Sequence, residues 1–176
     1  MQNTLRQQRR KQVRHRGFMR TFLRLLATAL QCRPWEGTPP AGWQRLPVIT
    51  CQQLQPFFPE LDLHRDVLWR VGKLPWWIRR LAIVPPVAIT FGTLVWVAPE
   101  WYAPTGLAGL ELIAHELTHV VQYRRHGCFG FTVRYGLDFL ANLLRGNSLA
   151  QAYEHIAFEV EARTQAAAIT KQWLFV

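Results

Sequence analysis

The sequence predicts an α+β fold, with a loop-rich N-terminal half that holds a small β-hairpin or sheet and packs on a mainly helical C-terminal half. Three observations predict it. Residues 33–60 contain six of the 11 prolines, interspersed with Trp35, Trp43, Phe57 and Phe58. Such a segment has little regular structure of its own and covers a core through its aromatics. Val87–Phe91 and Leu94–Val97 are rich in β-branched and aromatic residues and are separated by Gly92-Thr93, which reads as a hairpin or bulged strand. Leu110, Ile113, Ala114, Leu117, Val120 and Val121 recur at helical spacing.

A chain of 176 residues with 49% hydrophobic content can bury one core and is read as a single domain over 25–176. Its net charge of +10 invites a nucleic-acid or membrane-surface partner, but the charge is local. Residues 1–24 hold eight of the 21 basic residues and no acid, so the other 152 residues carry only +2. Basicity belongs to an arm, expected to be disordered and to make at most weak membrane-surface or nucleic-acid contact. Phe18–Leu30 reads as a short amphipathic helix. A secretory signal is disfavoured because Arg24 interrupts the apolar run and Leu30-Gln31-Cys32 lacks small residues for cleavage.

Three cysteines without a C-x-x-C pair argue against a disulfide framework and a cysteine zinc site, and point to a reducing, cytoplasmic setting. Residues 81–98 are uncharged, but Pro85-Pro86 and Gly92 argue for strand rather than a membrane span. Asp66–Val71 reads as a short strand, and Leu74–Arg80 as a turn whose Trp76-Trp77 pair beside Arg79-Arg80 is a candidate interface. The remaining Trp are read as packing. Pro99–Gly106 connects to a helix over 110–123 with Thr105 as N-cap and Gly127 as its stop. A second helix follows over Thr132–Arg145, with Tyr135, Phe139, Leu140, Leu143 and Leu144 as its apolar side. Ser148 with Gln151 is a capping box for a third helix running to about Phe175.

The helix over 110–123 contains His115-Glu116-x-x-His119. Two His four apart stand on one helical face, so both imidazoles reach one metal ion. Glu116, rotated about 100° from His115, is free to act as general base. A zinc site of this kind needs a third protein ligand. Glu154, His155, Glu159 and Glu161 all lie in the last helical segment, and Glu159 borders the stripe that includes Ile156 and Val160. Glu161, about 200° away, points elsewhere. Glu159 is therefore the preferred third ligand.

Leu112–Gln122 resembles the core of zincin-like domains often found with extracellular contractile injection systems, which are usually described as metallopeptidases of uncertain substrate. Glu159-Val160-Glu161-Ala162-Arg163 resembles the E-x-x-A-D segment of HtpX-type membrane peptidases, in the gluzincin group, whose first Glu is the third zinc ligand. The resemblance covers roughly 110–123 and 153–163. It implies Zn2+ held by His115, His119 and Glu159, and hydrolysis of a peptide or protein substrate with Glu116 as base. Arg163 departs from the pattern, which has Asp there. Arg accepts no hydrogen bond from a zinc-binding His, so another acceptor, such as Glu111 or a backbone carbonyl, would have to orient it. Tyr153, His155 and Tyr123 are candidate transition-state stabilisers. The resemblance also implies a substrate-holding strand edge within Ile89–Val97. A non-catalytic zinc-binding scaffold is the alternative. A protein whose work is done by its basic arm is a further one.

Overall fold

The computed structural model describes residues 23–74, 76 and 86–173. The expectations for residues 1–22, and for most of the Trp76–Arg80 cluster, lie outside them. Trp76 itself is exposed.

Residues 23–30 are helical, in line with the amphipathic helix expected there. Arg24, assigned above to the arm, belongs to the folded part. Its guanidinium lies 4.3 Å from the Trp35 ring centroid and donates to the Glu36 carbonyl at 3.1 Å. The proline-rich segment holds more structure than expected: helix α1 (Val48–Leu54), then a 3-10 turn over Gln55–Phe57. The single turn α2 (Leu63–Asp66) is capped by the Asp62 side chain, which accepts from the Arg65 amide at 3.0 Å. That turn takes Asp66 out of the predicted strand, so β1 is Leu68–Val71.

β2 (Ala88–Phe91) and β3 (Leu94–Val97) form the predicted antiparallel hairpin. Gly92 makes its turn at φ +60°, and a Cβ there would lie 2.0 Å from the Ala29 carbonyl oxygen. Glycine is thus required both by conformation and by space. β1 pairs parallel to β3, so the sheet order is β1-β3-β2. Of the predicted substrate edge, Ile89–Val97, only the β2 part, Ile89–Phe91, therefore lies at a sheet edge among the described residues. Leu94–Val97 is the central strand, and both its backbone sides are already paired.

Helix α3 spans Leu107–Leu144 with a break at Gly127 (φ 68°, ψ 166°). Its N-cap is Gly106, not Thr105, and no side chain caps it. Packing holds the first leg instead: Leu110, Ile113, Ala114, Leu117 and Val120 are almost fully buried against Trp69, Val95 and Val97 of the sheet and Ala166 and Ile169 of the last helix. Each buried Leu or Ile is worth roughly 1.5–3 kcal/mol, more than a cap supplies.

The second leg starts directly after Gly127 rather than at Thr132. Its predicted apolar side is also corrected. Leu140 and Leu144 are exposed, while Phe131 and Asn142 are buried. The Ser148–Gln151 capping box is present and starts α4 (Leu149–Glu154). The predicted long third helix is broken at His155, and α5 (Ala157–Trp173) restarts beyond it. The Asp138 carboxylate accepts from the Ala157 amide at 2.5 Å, a cap delivered from α3 that could not be read locally. The fold class is thus α+β, with a three-stranded sheet and a mainly helical C-terminal half.

Candidate metal centre

Two elements build the cluster, the first leg of α3 and α5. The first leg supplies His115 and His119 one turn apart, with ring centroids 4.7 Å from each other and Nε2 atoms 3.1 Å apart. α5 brings Glu159, whose Oε2 lies 3.3 Å from His115 Nε2 and whose Oε1 lies 3.5 Å from His119 Nε2. One ligand atom from each of the three residues lies within 4.8 Å of the others. His119 and Glu159 are buried and His115 is partly open, which gives the cluster one accessible side.

The charges are arranged for an ionised carboxylate. Burial works against the charge on Glu159, but hydrogen bonds and charge from His115 and His119 hold it well below the usual carboxylate range. Burial likewise opposes the charge on His119, yet the bond to Glu159 and the charges of Glu116 and Glu159 raise its pKa above 6.5.

Gln122, within the stretch that carries the motif but given no role above, orients His119. Its Oε1 lies 2.8 Å from His119 Nδ1, while its Nε2 donates to the Phe158 carbonyl at 3.0 Å and to Glu161 Oε2 at 2.8 Å. With both amide hydrogens directed at acceptors, the carbonyl end must face the imidazole. When His119 is neutral, as a metal ligand must be, this contact keeps its proton on Nδ1 and leaves a lone pair at Nε2. Gln122 is thus an acceptor of the kind that Arg163 denies. Glu111 is exposed and makes no hydrogen bond to a histidine among the described residues. Arg163 supports the carboxylate instead: its Nη1 lies 3.8 Å from Glu159 Oε2, and its guanidinium is anchored on the Glu154 carbonyl.

Of the other candidates, Glu161 stands behind Gln122 and outside the cluster, as its angle on the helix predicts. His155 is exposed at the α4–α5 break and is not among the clustered ligand atoms. Tyr123 is a packing residue, stacked on Phe131 with ring centroids 3.8 Å apart. Tyr153 remains close. Burial first, then the charges of Glu159 and Glu116, push its phenol far up, so it stays a neutral donor.

Besides Gln122, two residues had no place at the site in the sequence reading. Tyr135 donates to Glu159 Oε1 at 2.8 Å. Phe131 sets its ring edge-on to His119 at 6.1 Å and stacks on Phe158 at 4.9 Å, closing one side of the site. Both lie beyond the Gly127 break, whose direction no local signal gives. Gln122, by contrast, sits three residues after His119 on one helix, so spacing alone could have found it.

Glu116 is buried, and Thr90 on β2 donates to its Oε2 at 2.6 Å. The hairpin and the motif helix are thus joined at the residue between the two histidines.

Residues 80–127 match the family model described as the eCIS core domain, which supports an association with extracellular contractile injection systems. The matched segment spans the hairpin and the first leg of α3. It includes His115, Glu116, His119 and Gln122, and ends before Tyr135 and Glu159. No curated protein and no solved structure matches the chain. Among the described residues, no helix is long and apolar enough to cross a membrane.

Proposed function

We propose that the chain is a zincin-like, zinc-dependent hydrolase of the gluzincin type that cleaves peptide bonds. The observation that carries this reading is the buried convergence of His115, His119 and Glu159 around one point, with Glu116 between the two histidines. The donor set suits Zn2+: two imidazole nitrogens and one ionised carboxylate, with one side open. Zinc held there would polarise a substrate carbonyl and bring a water into its reactive range near neutral pH.

The chain's own groups would do the rest. Glu116 takes a proton from the attacking water and passes it to the leaving amine. Tyr153, neutral and next to Glu159, donates a hydrogen bond to the developing oxyanion. Tyr135 and Arg163 hold Glu159, and Gln122 holds His119. The outer side of β2, unpaired among the described residues, lies beside Glu116 through Thr90 and offers an edge on which an extended peptide could pair.

One observation favours a second reading, a non-catalytic zinc-binding scaffold. The Glu116 carboxylate is already engaged by Thr90 at 2.6 Å, as a purely structural acid would be.

Metal analysis of purified protein together with a Glu116→Gln variant tests both. The hydrolase reading expects about one zinc per chain in each protein, with peptide cleavage falling about 10²–10⁴-fold in the variant. Zinc binding without cleavage of a broad peptide library by wild type establishes the scaffold. Absence of zinc from carefully prepared wild type removes both readings.

A further inference from the structure

The second leg of α3 is apolar on both of its faces. Phe131, Tyr135 and Asn142 turn inward, while Phe129, Val133, Leu137, Leu140 and Leu144 form an outward stripe, followed by Leu149 at the start of α4. Phe129 is 83% exposed, Leu137 61% and Leu144 88%. A helix that is apolar all round is normally covered all round. Here the described residues cover only one side.

We propose that this outer face is the interface of a homodimer, with the two copies of the second leg packed antiparallel about a two-fold axis. Three features commit the face to a second copy. First, Val133, Leu137, Leu140 and Leu144 are spaced 4, 3, 4, the seam of helices that interlock side chain into gap. Second, the seam is self-complementary when reversed. Leu137 of one copy meets Leu140 of the other, Val133 meets Leu144, and Phe129 comes to the end where Leu149 begins α4. A two-fold contact requires such reciprocity. Third, the area is right. The six exposed side chains amount to nearly four fully exposed ones, or roughly 600–700 Å² per copy before any rim is added, against about 800 Å² per partner in a standard interface. Charge does not oppose the pairing, because the second leg carries only Arg134 and Asp138. Asp138 is turned inward to the Ala157 amide, and Arg134 is bonded to His126. The metal-site residues lie on the opposite, inner side, so both sites of the dimer stay accessible.

Light scattering coupled to size exclusion on the 176-residue chain, with loading varied over about two decades, should give twice the monomer mass at the higher loadings. Leu137→Asp should halve that mass while leaving the circular dichroism spectrum unchanged. Leu140→Lys serves as a second variant should the first misfold. Orientation is read by cysteine cross-linking. A mixture of Val133→Cys and Leu144→Cys chains should form a disulfide under mild oxidation, whereas Val133→Cys alone should cross-link far less, because the two copies of residue 133 lie at opposite ends of the antiparallel seam. A monomer at every loading overturns the proposal. So does a dimer that both variants leave intact, or a monomer that instead floats with anionic lipid vesicles through this face. Efficient Val133→Cys self-cross-linking overturns the antiparallel arrangement. None of these readouts depends on zinc or on hydrolysis.

Discussion

Gln122 accepts from Nδ1 of His119 at 2.8 Å while its own amide hydrogens are held by the Phe158 carbonyl and the Glu161 carboxylate. An imidazole of the candidate metal centre is thereby held in ring orientation, with its Nδ1 proton accepted, by a side chain one turn along the same helix. The Arg at position 163 is consistent with this arrangement. His119 already has its acceptor, so position 163 can support the carboxylate instead.

Replacing that acceptor should show in the metal and not in the fold. Gln122→Met keeps the length and apolar stem but cannot accept the Nδ1 proton. Zinc affinity should fall about 10–100-fold, as measured by competition with a chromogenic chelator. Unchanged affinity would remove Gln122 from the site.

Tyr135→Phe deletes the hydrogen bond to Glu159 Oε1 without leaving a cavity. Hydrogen bonds to charged groups are worth about 1.5–3 kcal/mol, so chemical denaturation should report a loss of that order in metal-free protein. Tyr153→Phe should leave zinc stoichiometry intact and lower kcat more than it raises KM. The opposite split would assign Tyr153 to substrate binding.

The pH dependence of the metal-free protein has a definite sign. The folded pKa of His119 is raised, so its contribution is full at low pH and is lost as pH rises through that value. The folded pKa of Glu159 is depressed, so its contribution is full above the ordinary carboxylate range and is lost as pH falls. The pair therefore stabilises most between about pH 5 and about 6.5, and the His119 contribution declines above that. In chelator-treated protein, the Tm gap between wild type and Glu159→Gln should be widest there and narrow toward pH 9. Zinc affinity should move the other way and strengthen as His119 loses its proton. A Tm gap that widens steadily to pH 9 would contradict the ion pair.

Gly127→Ala places a Cβ on a backbone with φ 68° and ψ 166°, a region open essentially only to glycine. No neighbouring atom lies within 4 Å of that Cβ, so the cost is conformational, of order 1–3 kcal/mol. Tm should drop by roughly 3–10 °C. Zinc affinity should fall as well, because the break aims Tyr135 and Phe131 at the site.

By itself the sequence determined the local features: the hairpin about Gly92, the motif helix with its buried stripe, the Ser148 capping box, and the one-face placement of His115 and His119. Each follows from residues a few positions apart, where backbone geometry fixes the outcome. It also singled out Glu159, because helical angle separates it from Glu161. Tertiary structure alone decided the strand order that leaves β2 at the edge and the break at His155 capped by Asp138. It likewise decided the path of the second leg, which turns Tyr135 inward and Leu140 and Leu144 outward. These depend on the direction a chain takes after a glycine break or across a long connection. A helix apolar on both faces does not say which face the domain will keep, so only packing could choose.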